Sequence, residues 1–181
     1  PFKKSVIPFL DKLTPVAKAT QSVNTVYKIN NEIWGENTDE MGFDQVFPSL
    51  DDSLEDKKVF ILGAGGVAPS IIYALYYSRN KIFLSNRTKQ KAEELKKLFP
   101  EIEIIEWGKK PPMFDVAINA TSVGLKKDDR INLDFSEYNK NKNKLFYDVI
   151  YSPEKTNFLF EAEKRGNKIE NGKMMFLYQA R

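Results

Sequence analysis

Two rhythms of apolar and polar residues divide this chain. From Lys57 to Ile169, short apolar runs alternate with longer stretches in which hydrophobic side chains recur every three or four positions. Runs of the first kind predict strands, and stretches of the second kind predict amphipathic helices. The strands fall at 59–62, 81–84, 102–107, 116–119, 145–149 and 168–169, and the helices at 67–78, 90–99 and 156–165. In 67–78 the helical spacing sets Val67, Ile71, Ala74, Leu75 and Ser78 on one face, and Pro69 is early enough in the helix to be tolerated. Alternation of this kind predicts an α/β fold with a doubly wound, mostly parallel sheet and helices on both faces.

The first forty residues follow another rhythm. They predict a short helix over 3–13 that contains Pro8, then strands at 22–29 and 32–35 turning through Asn30 and Asn31. A helix over 38–50 follows, capped by Thr38 or Asp39. The expected organisation is therefore the end of a second α/β unit (1–40), the main sheet (41–170) and a closing helix that returns towards the first unit (171–181).

The first strand of the main sheet runs into V-F-I-L-G-A-G-G-V-A, residues 59–68. Gly63, Gly65 and Ala68 satisfy G-x-G-x-x-G/A: the first glycine makes the turn, the second admits a pyrophosphate, and the third position keeps helix close to strand. Strand, loop and helix in this order define a Rossmann-type dinucleotide site, with Gly63, Ala64, Gly65, Gly66 and Val67 around the pyrophosphate. The competing reading is a glycine turn without a ligand. After the next strand, where an NAD site carries an acidic residue for the ribose hydroxyls, the chain reads Ser85, Asn86, Arg87, Thr88, with Lys89 and Lys91 beyond. A guanidinium pairs in a fork with a 2′-phosphate that a carboxylate would repel, so the cofactor predicted is NADP (NADPH) rather than NAD. Lys89 reads instead as a solvated helix residue.

Composition removes more chemistry than it adds. The 181 residues contain neither Cys nor His, which excludes disulfides, thiol nucleophiles, Ser-His-Asp triads and the usual zinc sites, so no metal is expected. Proton transfer is left to Lys, Asp, Glu or Tyr. With 28 Lys and Arg against 25 Asp and Glu, the net charge of +3 calls for no nucleic-acid partner, and the Lys/Asn run 139–144 reads as a solvated loop. Nothing in the chain has the length and apolarity of a membrane span, so a soluble, cytoplasmic protein is expected.

Several further motifs occur in an order that resembles the shikimate dehydrogenase family. They are P-F-K at 1–3, Val23-Asn24-Thr25, G-E-N-T-D at 35–39, N-R-T at 86–88, N-A-T-S-V-G at 119–124, D-V-I-Y-S-P-x-x-T at 148–156 and N-G-x-x-M-x-x-x-Q-A at 171–180. The resemblance covers essentially the whole chain. It implies reversible hydride transfer from NADPH to the ketone of 3-dehydroshikimate, giving shikimate, in aromatic amino acid biosynthesis. Lys3 and Asp39 match the family's catalytic pair. Asn24, Thr38, Tyr151 and Gln179 match groups that hydrogen-bond the substrate, while Gly172, Met175, Thr121 and Ser122 match positions facing the nicotinamide end of the cofactor.

The pattern has departures. Residues that the family places before the lysine motif, including paired serines for the substrate carboxylate, have no counterpart, and the last helix ends at Arg181, so the expectation is a fragment with little activity of its own. Glu36 and Glu40 replace commoner Asp and Gly, Lys173 and Met174 stand in the G-x-x-M loop, and Pro69 stands where an arginine is frequent. Two rival readings remain: a related dehydrogenase for quinate or another cyclic acid, and a non-catalytic NADP-binding module. Oligomeric state is left open.

Overall fold

The computed structural model describes residues 2–50, 54–139 and 143–180; Pro1, Arg181 and residues 140–142 of the Lys/Asn run lie outside them. Three short strands form a small sheet: β1 (Lys12–Leu13), β2 (Thr25–Ile29) and β3 (Glu32–Glu36), in the order β1-β3-β2. The predicted hairpin forms between β2 and β3, and Asn30 and Asn31 both take positive φ, 46° and 72°, as a tight two-residue turn requires.

Six parallel strands build the main sheet: β4 (Lys58–Leu62), β5 (Lys81–Ser85), β6 (Glu103–Ile105), β7 (Val116–Asn119), β8 (Leu145–Asp148) and β9 (Lys168–Asn171), in the order β6-β5-β4-β7-β8-β9. Successive side chains of a strand point to opposite faces, and the sheet uses this to feed two cores. Val59 and Ile61 of β4, Val116 and Ile118 of β7, and Leu145 and Tyr147 of β8 enter one. Phe60, Leu62, Ala117 and Phe146 enter the other. Burial on both faces is why these strands are continuous apolar runs rather than alternating ones.

The first core is roofed by α3 (Ala68–Tyr76) and α4 (Lys89–Leu98) through Ile71, Ile72, Leu75, Ala92 and Leu95. On the second face lie α5 (Asn157–Lys164) and an aromatic cluster in which Phe114 stacks on Tyr138 with ring centroids 4.1 Å apart. Helix α3 buries more than the one face its periodicity predicts, because α1 (Pro15–Thr20) and α2 (Asp39–Asp44) pack on its outer side. A last helix, α6 (Lys173–Tyr178), lies against α2 so closely that a Cβ on Gly42 would stand 2.8 Å from the Met175 carbonyl oxygen.

Local departures from the sequence reading have local causes. Segment 3–13 is no α-helix: Pro8 lacks an amide hydrogen, a 3-10 turn at Ile7–Phe9 ends at an extended Leu10, and Lys12 and Leu13 pair with Trp34 and Gly35 of β3. Helix α1 was not expected, although Thr14 caps it by accepting from the Ala17 amide and Pro15 opens it. Segment 38–50 splits into α2 and a 3-10 turn at Phe47–Leu50 that contains Pro48. Strand β2 starts at Thr25 rather than at residue 22, since Ser22 and Val23 are buried and tied elsewhere, Ser22 Oγ donating to the Gly66 carbonyl and the Val23 amide to the Lys3 carbonyl.

Candidate active site

The glycine loop, residues 63–67, joins β4 to α3 at the carboxyl ends of the strands. The chain winds outward from β4 through β5 to β6 and then returns to β7 on the other side of β4, so the loop sits at the topological switch point, where open α/β sheets bind ligands. Gly63 has φ +103°, and a Cβ there would stand 2.8 Å from Thr121 Cγ2 and 2.9 Å from the Ala120 carbonyl, so glycine is required on two counts. The Gly63 amide donates to the Ser85 carbonyl at 2.8 Å and the Ala64 amide to Asn86 Oδ1 at 2.9 Å. Asn86 in turn donates from Nδ2 to the Thr88 carbonyl, which fixes the loop to the end of β5.

A cleft of about 590 Å³ opens above this loop. Its walls include residues 63–67, Asn86, Arg87, Thr88 and Lys91 on the β5 side, and Thr121 and Ser122 after β7. Every cofactor residue expected from the sequence thus meets in one cleft, apart from Gly172 and Met175. Val149, Leu125 and Trp107 line it as well and were not foreseen, because nothing in their local pattern distinguishes them from core or surface residues.

The residues fit NADP. No acidic side chain is among the described residues lining the cleft, and Arg87 and Lys91 bring positive charge without an acidic partner there. Lys89 instead pairs with Glu93 at 3.5 Å along α4. Added Cβ atoms on Gly65 and Gly66 would make ordinary contacts, at 3.6 Å to the Ala120 carbonyl oxygen and 3.5 Å to Lys3 Cδ, and both glycines line the cleft in which a pyrophosphate would lie.

The loop after β7 is held by a buried polar network. Asn119 donates from Nδ2 to both oxygens of Asp148 at 3.1 Å and accepts at Oδ1 from the Thr121 hydroxyl at 2.6 Å and from the Thr121 amide. The Asp148 carboxylate also accepts from Thr156 Oγ1 and from the Ile150 amide. Burial pushes the Asp148 carboxyl above its ordinary range, although three of these donors pull it down.

Adjoining the cleft at the glycine loop is a recess of about 530 Å³ that shares residues 64–67 and Lys91 and adds Lys3 and Lys4. Lys3 Cδ is 3.5 Å from where a Cβ on Gly66 would stand, and Lys3 Nζ donates to Asp39 Oδ2. The second oxygen of Asp39 accepts from Asn24 Nδ2 at 2.8 Å, and Asn24 Oδ1 accepts from the Thr38 amide at 3.0 Å. Four residues predicted from three motifs, Lys3, Asn24, Thr38 and Asp39, therefore form one cluster.

Asn37 anchors that cluster. It is buried, donates to Thr20 Oγ1 at 3.0 Å and Ser70 Oγ at 2.8 Å, and accepts from the Asp39 amide at 3.1 Å. It ties the start of α2 to both α1 and α3. In the sequence it is one polar residue of G-E-N-T-D, and its partners lie too far away along the chain to be inferred.

The remaining predicted residues lie on or beside α6. Tyr151 stacks on Phe176 with centroids 4.7 Å apart, and Gln179 packs over Gly42 of α2. Gly172 is indispensable for packing, since a Cβ there would stand 2.1 Å from the Val149 carbonyl oxygen. Met175 is buried in the first core and does not line the cleft.

Comparison with known proteins agrees with this geometry. Residues 45–151 match the family model described as shikimate / quinate 5-dehydrogenase. A shikimate dehydrogenase (NADP(+)) from Pelagibacter ubique strain HTCC1062 is 55% identical over 181 residues, covering 99% of this chain and 67% of the relative. The crystal structure of shikimate dehydrogenase from Aquifex aeolicus superposes with a TM-score of 0.88 at 37% identity, over 99% of this chain and 66% of that one. A shikimate dehydrogenase solved in complex with NADP+ superposes with a TM-score of 0.89 at 29% identity, over 99% and 65%. This chain thus spans about two thirds of the length of the relatives it matches. It carries their Rossmann-type cofactor sheet together with the Lys3–Asp39 cluster, and it belongs to the shikimate / quinate 5-dehydrogenase family.

Proposed function

We propose that the protein is an NADP-dependent shikimate dehydrogenase, reversibly reducing 3-dehydroshikimate to shikimate in aromatic amino acid biosynthesis. The observation that carries this reading is the position of the Lys3–Asp39 pair against the glycine loop, with Lys3 Cδ 3.5 Å from where a Cβ on Gly66 would stand. This sets an ammonium beside the loop that borders the cofactor cleft.

Bound NADPH supplies the hydride. Lys3 Nζ would stabilise the negative charge that develops on the ketone oxygen during reduction and would donate the proton that completes the alcohol. Asp39, with a side chain only 4% exposed, orients the ammonium and is itself held by Asn24 and the Asn37 anchor. In oxidation the steps reverse, with Lys3 accepting the hydroxyl proton.

Gly63, Ala64, Gly65, Gly66 and Val67 would hold the pyrophosphate, Asn86, Arg87, Thr88 and Lys91 the 2′-phosphate and its ribose, and Thr121 and Ser122 would bound the nicotinamide end, with Gly172 packed against Val149 and Met175 in the core backing it. Asn24, Thr38, Tyr151 and Gln179 bind the substrate's hydroxyls and carboxylate. In this assignment residues 1–40 belong to the substrate unit, 41–170 to the cofactor unit, and 171–181 return to the substrate side. We place the enzyme in the cytoplasm; no described helix is long and apolar enough to cross a membrane.

In the full-length protein, Lys3→Met and Asp39→Asn are each expected to lower kcat by roughly 10²- to 10⁴-fold while NADPH affinity stays within about twofold, the range typical of a lost general acid. Steady-state kinetics with calorimetry reads both, and an unchanged kcat in either variant would remove the pair from the chemistry. The matching family model names quinate beside shikimate, which favours a second reading with quinate as substrate. The ratio of kcat/KM for the two acids decides between them, and failure to reduce NADP with either would leave a non-catalytic module.

A further inference from the structure

Trp107 is the only aromatic side chain among the described residues lining the cofactor cleft, and its place follows from the topology. It stands just after β6, the strand outside β5, whose end carries Arg87 and Lys91. On the NADP reading those cations would face the 2′-phosphate, which is borne by the adenosine ribose, and the base attached to that ribose would lie on the β5/β6 side. The other end of the cleft, with Thr121, Ser122 and Val149, lies across β4 towards β7 and β8.

The indole is also held in place before any ligand arrives. It occupies a turn closed by the Lys109 amide donating to the Glu106 carbonyl at 3.1 Å, and Gly108 takes the positive φ of 85° that this turn needs. Part of the ring packs against the second core, and the side chain is half-buried rather than fully covered. An aromatic plane fixed on one side and open to the cleft on the other suits a purine, because a base stacks through its π face whatever its edge groups.

We propose that Trp107 is the stacking platform for the adenine of NADP, a binding residue additional to the glycine loop and Arg87. This rests on the NADP reading of the cleft, so the probe is the adenosine half alone, 2′,5′-ADP. In the full-length protein 2′,5′-ADP is expected to quench tryptophan fluorescence in the parent and in Trp34→Phe, and the quench is lost in Trp107→Phe. By calorimetry, Trp107→Leu binds 2′,5′-ADP roughly 5- to 30-fold more weakly, Trp107→Phe within about threefold of the parent, and the affinity for nicotinamide mononucleotide is unchanged in both. Circular dichroism confirms that each variant is folded, and the Phe variant serves if Leu is not tolerated.

If the parent binds 2′,5′-ADP but Trp107→Leu binds it equally well, or the quench survives in Trp107→Phe, the stacking role is overturned while the NADP assignment stands. If the parent does not bind 2′,5′-ADP, the NADP assignment falls and the stacking role falls with it.

Discussion

Single side chains carry the discrimination between cofactors. Arg87 is exposed at the mouth of the cleft and has no acidic partner among the described residues, so its charge is available to a phosphate. Arg87→Ala is expected to weaken NADPH by roughly 10- to 100-fold, in line with the 1.5–3 kcal/mol of a charge-assisted hydrogen bond, and to leave NADH within about twofold. Isothermal titration with both cofactors measures this, and equal losses for both would remove the 2′-phosphate contact. Arg87 was legible because it follows a strand end at the distance the fold prescribes. Lys3 was not legible from its neighbours: taken alone it resembles any surface lysine, and its partner lies 36 residues away. Family resemblance pointed to the pair, and packing of α2 on α3 brought it to the glycine loop.

At the scale of elements, two buried polar groups set the strength of β8. Tyr147 is fully buried, its hydroxyl has no partner among the described residues, and its ring packs edge-on to Phe43 of α2 at 5.5 Å. Burial pushes its phenol far above the ordinary range. Tyr147→Phe removes an unpaired donor at nearly constant shape, and urea denaturation is expected to show a gain of about 1 kcal/mol. Its neighbour Asp148 gives a pH dependence. A carboxyl raised by burial binds more protons folded than unfolded between its ordinary value of 3.8 and its folded value, so stability falls as the pH rises through that window. Relative to Asp148→Asn, which does not titrate, the parent's urea midpoint should decline above pH 3.8 and level off once Asp148 is ionised. A constant difference across that range would contradict a raised carboxyl. Elements with apolar runs, such as β4 and β7, were plain in the sequence. Helix α1 was not, since six residues are too few to establish a period, and β1 exists only because β3 pairs with it.

Across the whole molecule, the cofactor cleft is assembled from the ends of several strands and therefore exists only when the sheet is complete. A ligand that binds this state alone stabilises it by mass action, about 2.7 kcal/mol at a hundred times its Kd. NADPH should raise the melting temperature of the protein more than NADH at equal concentration, and scanning calorimetry checks the order. The chain dictates locally whatever depends on neighbours along it: the buried strands, the Asn30–Asn31 turn, the glycine loop with its positive φ, and the charge that replaces an acid at Arg87. Backbone sterics and hydrophobic period act over a few residues, which is why these could be read directly. The Asn37 anchor, the meeting of Lys3 with Asp39 beside Gly66, the Asp148 network behind Thr121 and the entry of Trp107 into the cleft were settled by folding alone. Each joins groups distant in sequence, and only a closed core holds such groups within hydrogen-bonding or stacking range.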